Sequence, residues 1–468
     1  MKSGVFFFCL CLTLLLLACE NEVTVPPPTD YGSIQTISYS QHVQPLLSAK
    51  CATTACHNTS AAAGGLDLSS WDKAISGSSF GEVLVPFKST SSLLVTLFDE
   101  TPARKVHPAI GGKDPLQEEV DFLARWIEEG ARNDLGEIPF ANSTRRLYVC
   151  NQADDRVAII DLDALVVARY VDVGDSPGND APHFVVANAD FWYLSLIGAR
   201  QVWKFDAHTD TLVATAPIQG SPAILALTPD GTKLYVSQFM ASSTNSIAVV
   251  NTATMLVVAT IPVWTMPHGM RINHAGSRLY VANMMSDNLS VIDVGTDQVI
   301  ATTPLAYDAN PFGPPKYMPM EVAVSPSDSL VAVSCSETQE VRMYDAIMNA
   351  LVDSILVGDQ PWHLEFTPDG QFCYVCDRRS NTVSVVHVPM HYTMETISGT
   401  QTFAYPHGLD ISADGRHTFA SNENINHLFL PRYRVEYVGN ISVIDNLTNL
   451  VIKVLEVGEM PTGISIHE

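Results

Sequence analysis

From Arg146 onward, apolar and polar residues alternate over runs of about six positions rich in Val, Ile and Tyr, the two-residue period of strands with one face buried. Turn signals such as Pro229-Asp230-Gly231 and Pro368-Asp369-Gly370 divide the runs. The pattern then repeats as aligned units starting at Leu147, Trp192, Leu234, Leu279, Val331, Cys373 and Thr418, spaced 42 to 52 residues apart. Four short strands per unit at this period predict an all-β, seven-bladed β-propeller over residues 146–468. The stretch Thr462-Gly463-Ile464-Ser465-Ile466 is an unaccompanied inner-strand copy, expected to complete the first blade and close the ring.

Before Arg146 the period changes. Val43, Leu46 and Leu47 stand at helical spacing, and the stretch from Leu116 to Ala131 carries Val120, Leu123, Trp126 and Ile127 on one side, with Gly130 where a helix would stop. Residues 34–134 are thus expected to form a small all-α domain, joined to the propeller by a linker over 135–145, and the chain to be multidomain. A core this small needs something to complete it.

The first residues read as an address. Lys2 precedes an apolar run from Val5 to Ala18, shorter than the roughly 20 residues a spanning helix needs. Residues 1–18 therefore read as a signal peptide. The ending Leu16-Leu17-Ala18-Cys19 resembles a bacterial lipobox, which implies a lipidated Cys19 as membrane anchor; an ordinary secretory signal with an unmodified cysteine is the alternative. Pro26-Pro27-Pro28 in the linker over 19–33 suits a stiff spacer. The expected location is the bacterial cell envelope. Glu20, where inner-membrane retention is associated with aspartate, favours the outer membrane, facing periplasm or cell surface.

Charge narrows the partners. With 50 acidic against 26 basic residues and a net charge of −24, nucleic acid is excluded as an expected partner, because binding it requires phosphate neutralisation. A cationic redox partner protein remains compatible with such a surface.

The stretch Cys51-Ala52-Thr53-Thr54-Ala55-Cys56-His57 carries the most specific chemistry. Two thiols can add to the two vinyl groups of a porphyrin, and a histidine directly after the second can ligate the iron. Four residues separate the cysteines instead of the usual two, so the loop must bulge. A local disulfide with a bystander histidine is the alternative. Cys150, Cys335, Cys373 and Cys376 lie in strand-like runs and are expected to act as small buried hydrophobes; Cys373 and Cys376, three apart on a strand, should face opposite ways.

The region around this motif resembles the cytochrome c-like domains of secreted bacterial proteins of the planctomycete type. The matching parts are His42-Val43-Gln44-Pro45-Leu46-Leu47, Gly65-Leu66-Asp67-Leu68, Val85-Pro86, Ser91-Ser92-Leu93-Leu94 and the closing Trp126-Ile127 with Gly130-Ala131. The resemblance implies one covalent haem c on Cys51 and Cys56, with His57 as the proximal iron ligand. In that family a Met-Pro-Pro segment supplies the sixth ligand. Here the corresponding segment is Val106-His107-Pro108, and no methionine occurs between Met1 and Met240. His107 is therefore the candidate distal ligand, with His42 in reserve. Imidazole in place of thioether should lower the reduction potential; a free His107 would instead leave an open iron site.

The repeats resemble the Tyr-Val-Thr-Asn (YVTN) family of bacterial surface propellers, on Leu234-Tyr235-Val236, Leu279-Tyr280-Val281-Ala282-Asn283 and the paired Leu289-Ser290-Val291-Ile292-Asp293 and Ile441-Ser442-Val443-Ile444-Asp445. The loops leading into the innermost strands bring His183, His268 and His407 to the central channel, and His363 offset by one position. The insertions at 307–318 and 424–438 fall at that same end. Convergent imidazoles there could hold a metal or a second tetrapyrrole, or simply repeat how each blade begins.

Three functions stay open on these grounds: an anchored c-type electron carrier whose propeller docks a partner, an oxidoreductase with a metal or second tetrapyrrole on the His-rich face, and a surface binding or scaffold lipoprotein. Whether the chain is an enzyme is open, the first of these being an electron carrier.

Overall fold

In the computed structural model the described residues are 30–79, 81–98, 115–175, 177–239, 245–307, 309–310, 312–399, 401–431 and 437–468. Residues 146–468 form seven four-stranded antiparallel sheets. Six use consecutive strands. The seventh is ordered β28-β1-β2-β3, with β2 at Arg156–Asp161 and β3 at Val166–Asp172, so β28 (Pro461–His467) is the inner strand of the blade that β1 (Arg146–Asn151) opens. The register pairs Leu147 with Ile466 and Val149 with Ile464. The expected closure of the ring by the isolated last repeat is what the structure shows.

Local chemistry repeats with the blades. Between the two inner strands of a blade, Thr228 donates to Asp230 at 2.6 Å, Thr367 to Asp369 at 2.6 Å and Ser412 to Asp414 at 2.7 Å. Each pair is followed by a glycine of positive φ, Gly231 at 68°, Gly370 at 68° and Gly415 at 70°, a backbone region that β-carbons disfavour. At the outer end, the aspartate closing each Val-Ile-Asp run caps the next turn: Asp293 accepts from Thr296 N at 2.8 Å and Asp445 from Thr448 N at 2.9 Å. The alternation seen in the sequence buries one face of each strand against the neighbouring blade. Cys373 packs in one inter-blade core and Cys376 in the next, on opposite faces of their sheet.

The amino-terminal lobe has its own core, built from Tyr39, Val43, Leu47, Leu123, Trp126 and Ile127 among others. An all-α domain was expected, but the described helices are short. They are α1 (Gln44–Lys50), α2 (Trp71–Ile75), α3 (Leu93–Thr96) and α4 (Gln117–Glu128), with loops and single turns between. Glycines at positive φ, Gly64, Gly65, Gly77 and Gly81, interrupt the stretch where longer helices would have to run. Val120, Leu123, Trp126 and Ile127 are buried along α4, and Gly130, at φ 98°, follows its end.

The lobe lies against the outer strand β3 (Val166–Asp172) and against β27 (Leu450–Glu456). Val85 of the lobe belongs to the same core as Val167, Tyr170 and Leu455. Lys88 Nζ reaches Asp172 Oδ2 at 2.6 Å, and Arg169 donates to the Phe140 carbonyl at 3.1 Å. On blades away from the lobe the outer strands expose apolar residues, such as Leu256, Val258, Ile300 and Leu351. On β3, Val166, Val167 and Ala168 are buried.

Candidate functional site

Two places gather the residues singled out in the sequence. The first follows α1. Cys51 ends that helix, its N–H donating to Leu47 O at 2.8 Å. The four-residue gap then folds back on itself: Cys56 N donates to Thr53 O at 3.0 Å, and His57 N to Cys51 O at 3.1 Å. Asn58 fastens the bulge, its amide donating to Thr53 O at 2.5 Å and its oxygen accepting from Ser60 N and Ala61 N at 2.9 and 3.0 Å. The extra residues thus form turns that return His57 to the level of Cys51.

Cys51 and Cys56 are both buried and both free thiols, so the local disulfide is not formed. Burial, the neighbouring Cys56 and Glu119 push the Cys51 thiol up to about 12. The Cys56 sulfur accepts from the Thr53 hydroxyl at 3.1 Å. His57 Nδ1 lies 3.1 Å from the Ala63 carbonyl. A carbonyl only accepts, so the neutral ring carries its proton on Nδ1 and its lone pair on Nε2, the arrangement of a metal-ligating imidazole. Cys51 and His57 line an apolar cleft together with Leu66, Leu68, Val83 and Leu94.

His42, the reserve ligand, is placed differently. Its Nδ1 accepts from Ser38 N–H at 3.0 Å, so in the neutral ring Nε2 holds the proton, and it is not among the residues lining the cleft. His107 and Cys19 lie outside the described residues.

The second place is the propeller channel. Each inner strand has a proline at its first or second position, and the residue after it is His183, Ala223, His268, Met320, Trp362, His407 or Thr462, taken around the ring. One position deeper stand Phe184, Ile224, Gly269, Glu321, His363, Gly408 and Gly463. The three glycines sit where blades touch: a β-carbon on Gly408 would lie 2.4 Å from Thr462 O, and one on Gly463 2.4 Å from His183 O. Two adjacent blades place Glu321 and His363 at this depth instead.

All four histidines are buried and converge. Ring centroids are 5.4 Å apart for His183 and His407, 5.3 Å for His363 and His407, and 6.2 Å for His183 and His268. Burial holds every ring neutral: it lowers His183 to about 3 and His268 to about 4, and depresses His363 and His407 well below the usual histidine range, with neighbouring imidazoles adding to the effect on His183, His363 and His407. His268 Nδ1 is 3.0 Å from Met320 O and His183 Nδ1 2.8 Å from Gln152 Oε1. Beside them, Arg378 pairs with Glu423 at 2.6 Å and is sandwiched 4.7 Å from the centroids of both Trp362 and Tyr405. Glu321 Oε2 stands 3.4 Å from His363 Nε2. Burial pushes the Glu321 carboxyl up to about 8. Deeper in the channel Arg271 pairs with Glu365, and burial, with Glu365 adding, raises Asp410 to about 7.

The structure therefore brings His183, His268 and His407 together as the repeat implied, and adds His363 to them despite its one-position offset. Glu321, Arg378 and Glu423 were missed. Their signal was a departure from the repeat: a charged residue at positions where the other blades carry mostly uncharged ones, Glu321 among glycines, Phe184 and Ile224, and Arg378 and Glu423 among Gln152, Ile197, Phe239, Met284 and Ser336. Among the described residues no three His, Cys, Asp or Glu side chains stand preset around a metal position.

Fold and sites together define a seven-bladed β-propeller that carries a small amino-terminal lobe with a Cys/His-lined cleft. The profile of the family described as "Lactonase, 7-bladed beta-propeller" matches residues 199–302, less than half of the chain. Among solved structures, a functionally unknown protein from Desulfotomaculum acetoxidans DSM 771 is similar at 13% identity and a TM-score of 0.56, over 69% of this chain and 98% of that one. Kuenenia stuttgartiensis hydrazine synthase is similar at 17% identity and a TM-score of 0.47, over 62% of this chain and 91% of that one. The likeness to the Desulfotomaculum protein extends to the fold alone. No curated protein matches the chain.

Proposed function

We propose that this chain is an envelope electron carrier: a cytochrome c-like lobe that holds one covalent haem c, fused to a YVTN-type propeller that docks its redox partner and tethered through a lipidated Cys19. The observation that carries this reading is the placing of Cys51 and His57 side by side on one apolar cleft, with Cys56 kept as a buried thiol in the same loop. The donor set fits the group. Cys51 and Cys56 supply two thiols for thioether bonds, and His57, its proton directed to the Ala63 carbonyl, presents Nε2 as the proximal ligand. When bound, the haem supplies a one-electron couple. The protein's own part is to exclude water with Leu66, Leu68, Val83 and Leu94 and to hold His57 in one orientation.

His107 is proposed as the distal ligand, since the His42 proton arrangement does not suit the iron. Held between His57 and His107, a haem would supply a one-electron couple at a lower potential than with a methionine ligand.

The test is expression of the full chain in a bacterial host with haem-attachment machinery, followed by an absorption spectrum before and after denaturation. A haem band that stays with the denatured chain is expected, and Cys51→Ser with Cys56→Ser should abolish it. A chain without covalent haem would overturn the reading. His107→Ala should turn a low-spin spectrum high-spin; an unchanged spectrum would remove His107 as ligand.

A further inference from the structure

The channel holds a group of polar atoms that folding leaves unsatisfied. Glu321 Oε2, His363 Nε2, His183 Nε2 and His407 Nδ1 are all buried without a hydrogen-bond partner. Such atoms cost free energy unless something else meets them. Glu321 is satisfied at its other oxygen, which accepts from Val322 N at 3.2 Å. Its unsatisfied Oε2 faces the unsatisfied Nε2 of His363 at 3.4 Å, beyond the normal length of a hydrogen bond between them.

That separation has a simple meaning. Two ligand atoms each about 2.1 Å from a common ion, at a tetrahedral angle, are about 3.4 Å apart. Two imidazoles bound through nitrogen to one such ion have ring centroids on the order of 5 Å apart, and His363 and His407 are at 5.3 Å. We propose that Glu321 and His363, with His407 as third donor after a turn of its ring, hold a divalent transition-metal ion in the propeller channel. His183, its Nε2 also unsatisfied and its ring 5.4 Å from His407, stands as a neighbouring fourth donor. Two imidazoles and a carboxylate suit zinc or ferrous iron better than calcium or magnesium.

Repetition does not account for this pair. At the depth of Glu321 and His363 the other blades carry Phe184, Ile224 and three glycines. The glycine of the adjacent blade makes the room: a β-carbon on Gly269 would lie 2.4 Å from Glu321 Cα and 2.9 Å from Glu321 Oε1. The cations near the site are engaged elsewhere, Arg271 with Glu365 and Arg378 with Glu423. What competes with a metal is ordered water bridging the same atoms.

The inference is independent of the haem reading and is tested without haem. The full chain, purified without metal, is dialysed against zinc and its metal content and affinity measured, alongside Cys51→Ser/Cys56→Ser, Glu321→Gln, His363→Ala and His407→Ala. One zinc per chain that survives the double cysteine substitution is expected, with affinity falling about tenfold or more in each of the three channel variants. Glu321→Gln keeps the side chain's volume, so its loss of zinc with an unchanged circular dichroism spectrum separates ligation from misfolding. No zinc uptake, uptake that vanishes with the two cysteines, or affinity unchanged in Glu321→Gln and His363→Ala would each overturn the proposal. A chain that lacks haem yet binds zinc this way overturns only the haem reading.

Discussion

Val149 on the first strand of the propeller and Ile464 on its last are cross-strand partners, and both sit in the core that also holds Val85 of the amino-terminal lobe. The two ends of the ring and the lobe's attachment thus share one set of contacts. Ile464→Ala removes a buried branched side chain from that set and is expected to cost about 2–4 kcal/mol. Thermal unfolding followed by near-ultraviolet circular dichroism should show a single transition displaced downward by several degrees. A midpoint equal to that of the unsubstituted chain would mean that the last strand is dispensable for closure.

One glycine of the lobe lies directly against the propeller. Gly77 has φ +74°, and a β-carbon there would lie 2.5 Å from Gly81 O and 2.8 Å from Val166 Cγ1. Gly81 in turn faces Leu455, and Ser78 and Val83 between and beyond them line the cleft. Gly77→Ala should therefore strain the turn and push the loop off β3, destabilising by about 1–3 kcal/mol. Limited proteolysis should cut between the lobe and the first blade faster in the variant. Equal cleavage rates would show that the loop yields without parting from the blade.

The propeller was legible because its information is local and repeated: an aspartate that caps most of the outer turns and a Thr/Ser-x-Asp-Gly turn between the inner strands of several blades are visible as letters, and strand alternation places Cys373 and Cys376 on opposite faces without any tertiary knowledge. Convergence of His183, His268 and His407 followed from the same register. The pairing of Glu321 with His363 did not, because the repeat carries glycine or an apolar residue at this depth in the other blades and so marks no side chain there. In the lobe, the helix over Leu116 to Ala131 had a clear period, whereas the short turns around Gly64, Gly65, Gly77 and Gly81 are set by tertiary contact with the cleft and the propeller.

Asp377 gives the stability a pH dependence. It is buried at the end of its strand and accepts from Ser384, Thr382 and Gly358 N at 2.7, 2.9 and 3.0 Å, yet burial outweighs these bonds and raises its carboxyl to about 7. The folded state therefore binds the proton more tightly than the unfolded chain, whose aspartate titrates near 3.9. Its contribution is fully present below about pH 4 and is lost as pH rises towards 7. Between about pH 5 and pH 8 the unfolding midpoint of the unsubstituted chain should fall more steeply than that of Asp377→Asn, in which this group does not titrate. Parallel profiles for the two proteins would assign the dependence to other groups.

Asn58 is the residue that turns an unusually spaced motif into a defined loop. Its side chain donates to Thr53 O and accepts from Ser60 N and Ala61 N, joining both sides of the turn that carries Cys56 and His57. Hydrogen bonds of this kind contribute on the order of 1 kcal/mol each, and less where water can replace them. Ser60 and Ala61 are exposed, so Asn58→Ala should release about 1–2 kcal/mol of local stability while leaving the propeller's transition unchanged. Hydrogen exchange reads this directly. The amides of Cys56, His57 and Ala63, bonded to Thr53 O, Cys51 O and Cys56 O, should exchange about tenfold faster in the variant, and those of α4 at the usual rate. If the three amides keep their protection, the main-chain bonds alone hold His57 against the cleft, and Asn58 only decorates the loop.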